Sequence, residues 1–240
     1  MNTTEVLGVH FVSSGILEAV DSGMRAMEER EASYVVAPNS EMMLAARKSK
    51  RLMRAIQGAA LILPEGSGII YSSYILGIPI KRKITAQDYV SALMARMSEK
   101  QRSVFILGGE EETAALAEER IRARYPGIVI AGKDRRHYDT DEELFDTVNQ
   151  ANPDLLLVCF DTPRQELWMS RNRESIKAGL MVGFGKELKI VAGVTPQVPQ
   201  KWRDGGYEWL YKMIKEPSSI LRVAKRAALL LAAVKRRLIG

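Results

Sequence analysis

The sequence predicts an α/β fold: a Rossmann-like, mostly parallel sheet with helices on both faces, followed by a C-terminal basic amphipathic helix. Two observations carry this. Short runs of β-like composition alternate with stretches whose apolar residues recur at i, i+3 and i+4, the pattern of βαβ units. The last twenty-nine residues, Lys212 to Gly240, hold eight Lys/Arg against one Glu, so this tail carries +7 of a chain whose formal net charge is +6.

Taken in order, the strand candidates are Val6 to Val12, Tyr34 to Ala37, Ala59 to Leu63, Val104 to Leu107, Ile128 to Ala131, Leu155 to Phe160 and Leu180 to Val182. Ligands of such sheets bind outside the carboxyl ends of the strands. Those ends read APNSE, LPEGSG, LGGEEE, CFDTPRQE and VGFGKE. Asn39 or Ser40 is suited to cap the helix that continues through Met42, Met43 and Leu44. Pro163 suits the first turn of another helix, with Trp168 in the core. Thr140 and Glu143 form a capping box, which is favoured over a metal-binding reading of Asp139-Thr140-Asp141. The boundary expected from composition lies at Glu216-Pro217, giving a core over 1–216 and an appendage over 217–240.

On a helical wheel Arg222, Lys225, Arg226, Arg236 and Arg237 fall within an arc of roughly 120°, interrupted by Leu229 and Ala233. Ile220, Ala224, Ala227, Leu231 and Leu238 face the other way. Such a helix can lie in the headgroup region of an anionic membrane, or pack as a solvated helix on its own domain. Its longest apolar run, Ala227 to Val234, is far short of the roughly 20 residues of a membrane span. No secretory pattern follows Met1, so cytosolic residence is expected. The single Cys159 excludes an internal disulfide, and with only His10 and His137 a zinc site is not expected.

Chemistry is sought in three segments. Leu61 to Gly68 runs from a strand into a Gly-flanked turn tipped by Glu65. Gly66 and Gly68 let backbone approach a ligand, and a carboxylate held there can act as general base toward a sugar hydroxyl. The alternative puts Glu65 in the first turn of the next helix, favoured by its dipole. Asn39 can hold a ligand hydroxyl instead of capping. Gln165 offers both donor and acceptor to a uracil or sugar. Gly108-Gly109 reads mainly as structure, because Glu110, Glu111 and Glu112 would repel a diphosphate.

Together PNSE at 38 to 41, LPEGSG at 63 to 68, Lys83 to Asp88, TPRQELW at 162 to 168, Ala192-Gly193 and YEWLYKMIKEP at 207 to 217 resemble the WecG/TagA/CpsF glycosyltransferases, glycosyltransferase family 26. The resemblance implies an inverting transferase without an obligatory metal, moving an N-acetylmannosamine-type sugar from UDP to a polyprenyl-diphosphate-linked N-acetylglucosamine. It also implies a basic C-terminal appendage that meets the membrane and helps complete the site. Glu65 then stands at the family's catalytic Asp, with Asn39, Gly66, Gly68, Lys83, Asp88, Gln165 and Gly185 as substrate-binding positions. Arg222, Lys225 and Arg226 are the candidates for the leaving diphosphate. Departures are Ala37 for Thr, Lys83 for Arg, Ala86 for Gly, Asp161 for Gly, and Gln197-Val198-Pro199 for Arg-Ala-Pro. Gly185-Lys186-Glu187-Leu188-Lys189 replaces a Gly-Gly-Ser-Phe-Asp type loop, so a lysine falls where an aspartate is expected. The expected partners are a UDP-sugar, the lipid-linked acceptor and an anionic membrane, at whose cytoplasmic face the protein would be peripheral. Nucleic acid is not expected, and self-association is left open. A catalytically impaired scaffold is the competing reading.

Overall fold

A computed structural model describes residues 1–134, 141–196, 198–199, 201–202, 210–211, 214 and 220–239; for 141 and 220–223 it describes backbone only. The chain opens with β1 (Thr3–Val6) and β2 (Val9–Val12), then α1 (Ile16–Glu29), β3 (Ser33–Val36), α2 (Ser40–Lys48), α3 (Lys50–Gln57), β4 (Leu61–Ile62) and α4 (Ser67–Ile75). It continues with α5 (Ala86–Glu99), β5 (Ser103–Gly108), α6 (Glu111–Arg124), β6 (Val129–Asp134), α7 (Asp141–Ala151), β7 (Leu155–Cys159), α8 (Arg164–Asn172), β8 (Leu180–Gly183), α9 (Gly185–Val191) and α10 (Ile220–Ile239).

Six strands form one parallel sheet in the order β4-β3-β8-β7-β5-β6. Its central strands β3, β8, β7 and β5 are apolar on both faces because both are covered, whereas the edge strand β6 is partly exposed. Leu155, Leu157 and Cys159 of β7 face α1, α5, α6 and α9, while Leu156 and Val158 face α2, α3, α4, α7, α8 and α10. Each such side chain contributes on the order of 1.5–3 kcal/mol by leaving water.

The first strand candidate is corrected. Val6 to Val12 is not a sheet strand but a hairpin, β1 pairing antiparallel with β2 in a separate two-stranded sheet. Leu7 and Gly8 both take positive φ, 53° and 84°, as a two-residue primed turn requires. The continuous apolar composition hid the turn, and Gly8 was its one sequence signal.

Of the two arrangements open to the tail helix, the structure shows it packed on its own domain. α10 packs across α2 and α4. Leu229 and Ala233, the interruptions of the basic arc, are fully buried. The side of the arc with Leu229 and Ala233 is therefore the docking face, with Lys225 and Arg226 half-buried beside it and Arg236 and Arg237 exposed, while Leu231 is 69% and Leu238 80% exposed on the other side. The expected boundary at Glu216-Pro217 lies outside the described residues. Among the described residues no helix is long and apolar enough to cross a membrane.

Candidate active site at the carboxyl edge of the sheet

β4, β3, β8 and β7 are contiguous, so the segments leaving their carboxyl ends share one rim. After β4 the chain tightens at once: the Glu65 N–H donates to the Leu63 carbonyl at 2.9 Å, and Gly66 takes φ 88° and ψ 147°, open to glycine and strained for other residues. α4 begins only at Ser67, so Glu65 precedes the helix and is not in its first turn. Gly68 has a second reason to be glycine. A Cβ there would lie 1.9 Å from Ser40 Oγ and 3.2 Å from Arg226 Cγ, so a side chain would pry α4 away from α2 and α10.

Glu65 is 15% exposed, and its carboxylate meets the Lys186 ammonium at 3.3 Å. Lys186 also lies 3.5 Å from Glu187, whose carboxyl is buried. These two acids hold the lysine above its ordinary pKa, Glu65 contributing most, although its side chain is 64% exposed. Burial raises the Glu187 carboxyl, opposed by Lys186, and burial likewise raises Glu166, which interacts with both Lys186 and Glu65. One ammonium thus stands among three carboxyl groups. Lys186 falls at a glycine of the family's loop and Lys189 at its aspartate, while Glu187, unread from the sequence, puts a carboxyl beside Lys186.

Gln165 and Gly185 belong to the frame of this cluster. The Gln165 Nε2 donates to Glu166 Oε1 at 2.8 Å, and its Oε1 accepts the Gly185 N–H at 3.0 Å. A Cβ on Gly185 would sit 2.1 Å from the Phe160 carbonyl, so glycine is what lets β7 and β8 loops meet. Glu166 Oε2, in contrast, has no protein partner. Asn39 caps α2, its Oδ1 accepting from the Glu41 and Met42 N–H groups, and its Cβ lies 3.9 Å from where one would stand on Gly66. Segment 83–85 is tied to the same turn by the Ile84 N–H donating to Pro64 O at 3.3 Å, which brings Lys83 alongside. Asp88 is further engaged in α5, exchanging hydrogen bonds with the Thr85 cap.

From the other side α10 supplies cations. Lys225 pairs with Glu41, and Arg226 is half-buried against Gly68 with Tyr71 nearby; burial lowers its pKa from the ordinary arginine value. The Arg222 side chain, Gln197 and the Asp139-Thr140 pair lie outside the described residues. Gly108 and Gly109 prove to be packing positions, a Cβ on them meeting Phe160 at 2.8 Å and Leu188 at 2.6 Å. Lys189 pairs with Glu110 at 2.8 Å. Among the described residues no three His, Cys, Asp or Glu side chains are grouped to hold a metal ion.

The sequence matches the Glycosyl transferase WecG/TagA/CpsF family over residues 4–240. The chain belongs to that family. It is similar to a Bacillus spizizenii protein named N-acetylglucosaminyldiphosphoundecaprenol N-acetyl-beta-D-mannosaminyltransferase, with 25% identity over 91% of this chain and 85% of the relative. A Staphylococcus aureus protein of the same name is 24% identical over 91% of this chain and 87% of the relative. The protein is accordingly a glycosyltransferase, and this rim is its candidate site.

Proposed function

We propose that this glycosyltransferase moves an N-acetylmannosamine-type sugar, with inversion, from a UDP donor to a polyprenyl-diphosphate-linked N-acetylglucosamine. The names of the relatives supply the acceptor and the sugar. The observation that carries the chemistry is that Glu65 sits in its glycine-hinged turn while Arg226, from α10, packs against Gly68, three residues on in the first turn of α4.

Glu65 takes the proton of the acceptor hydroxyl while that oxygen bonds to the anomeric carbon, and the bond from that carbon to the diphosphate breaks with its electron pair leaving on UDP. Charge grows on the diphosphate as this happens. Arg226, with Lys225 and Arg222 beside it in sequence, would neutralise it, the guanidinium fork matching phosphate oxygens. Glu65 must first shed Lys186, and Glu187 at 3.5 Å gives the ammonium a second partner when it does. The outward stripe of Leu231, Val234 and Leu238 would seat α10 in the headgroup layer at the cytoplasmic face, where the lipid acceptor lies.

The test is a screen of UDP-sugars with a lipid-diphosphate N-acetylglucosamine acceptor and the full-length chain. Transfer from UDP-N-acetylmannosamine or a close relative is expected, and no transfer with any donor would contradict the reading. The second reading, an impaired scaffold, draws on one observation: Lys186 occupies the proposed base. It expects no binding of UDP or UDP-sugars, whereas the transferase binds them.

A further inference from the structure

We propose that the open cleft between α3 and α8 is a second anion site, distinct from the Glu65 rim, that takes a phosphate group. The cleft has a volume of about 460 Å³, within the range of small-ligand sites. Lys50, Arg51 and Arg54 line it from α3, and Leu167, Ser170 and Arg171 from α8, with no carboxylate among the lining residues.

Several cations elsewhere on the molecule meet carboxylates, among them Arg30 and Arg102 with Asp154, Lys100 with Glu28, and Lys133 with Glu118. Lys50, Arg51 and Arg54 make no ion pair with any described residue. Five of the eight residues from 47 to 54 are Lys or Arg, and none is acidic. Arg47 and Lys48 close α2, where the helix dipole favours a cation. Lys50 and Arg51 open α3, where the dipole disfavours one, and the first turn of α3 has no acid to offset them. Helix stability alone would select the opposite charge at these two positions. An anion arriving from outside removes the conflict.

The floor of the cleft is tied to the sheet by hydrogen bonds, while the three α3 cations above it are exposed. Tyr34 of β3 is buried, its phenol donates to the Ala55 carbonyl of α3 at 2.7 Å, and Ser170 of α8 hydrogen-bonds the same phenol. A Cβ on Gly58 would fall 2.9 Å from the Tyr34 oxygen, which keeps the end of α3 pressed on this contact. Guanidinium forks and an ammonium around such a floor suit phosphate oxygens. A free diphosphate and an anionic lipid headgroup present the same chemistry. α3, α8 and α10 all cover one face of the sheet.

The test compares full-length wild type with the Lys50→Gln, Arg51→Gln, Arg54→Gln triple variant. Calorimetry with inorganic diphosphate forms one arm, and sedimentation with phosphatidylglycerol against phosphatidylcholine vesicles the other. The rim is unchanged, so the variant is expected to lose one class of diphosphate binding, or to weaken roughly tenfold or more on phosphatidylglycerol alone. Loss in the first arm identifies a free phosphate ligand, and loss only in the second a lipid headgroup. Equal binding in both arms, with an unchanged melting midpoint, overturns the proposal. Arg51→Gln and Arg54→Gln singly carry the same comparison if the triple variant does not fold.

Discussion

The two faces of α10 reverse the usual arrangement of a surface helix. Its inner face holds Leu229 and Ala233 in the core, with Arg226 half-buried beside them and Arg237 donating to the Ile75 carbonyl. Its outer face leaves Leu231, Leu238 and Ile239 largely in water. Lys225 and Arg226 are half-buried on the inner side, whereas Leu231, Leu238 and Ile239 are exposed, as are Lys235, Arg236 and Arg237. The arrangement makes sense if the inner face serves a site that needs positive charge and the outer face meets something less polar than water.

The sharpest way to break this comparison is at Arg226. Arg226→Ala is expected to lower kcat by about 10²–10³-fold, the range for removing one fixed donor to a developing anion, measured by transfer under saturating substrates. Lys at this position keeps the charge but not the fork, and should recover only part of the loss.

Next come the leucines. Leu229→Ala empties a buried site and is expected to destabilise by about 2–5 kcal/mol in denaturant unfolding. Leu231→Ala, two residues on, should change stability by no more than about 0.5 kcal/mol. It should instead weaken partition onto anionic vesicles. Equal stability losses would mean that the two faces are not distinct.

A smaller effect distinguishes the acidic rim from the basic helix. Burial holds the Glu166 carboxyl above its ordinary 4.5, so the folded protein keeps a proton that the unfolded chain gives up. This contribution to stability is whole below about pH 4.5 and is lost as pH rises through the raised folded value. Glu166→Gln mimics the protonated acid and removes that loss. Its melting temperature should therefore gain on wild type as pH climbs above about 4.5, and a pH-independent difference would show the carboxyl to be ionised throughout.

Much of this was legible in the chain. β3, β5, β7 and β8 lie where apolar runs placed them, because strands buried on both faces announce themselves by composition. The Glu65 turn was legible for a local reason, as Gly66 and Gly68 flank it. The Val6 to Val12 hairpin was missed because its turn contains Leu7, which does not advertise a positive φ. A helical wheel grouped the residues of α10 correctly but carries no information on which group faces the protein. Glu187 was missed because its carboxyl gains meaning only from Lys186 and Glu65, brought together from two strand ends.

The central claim is that Glu65 takes the acceptor's proton. Its most direct test is the single-turnover transfer rate of Glu65→Gln on the lipid-linked acceptor, with Glu65→Asp alongside. A fall of about 10²–10⁴-fold for the amide, with the aspartate retaining substantial transfer, is the predicted result. A Glu65→Gln enzyme that transfers at the wild-type rate would contradict it.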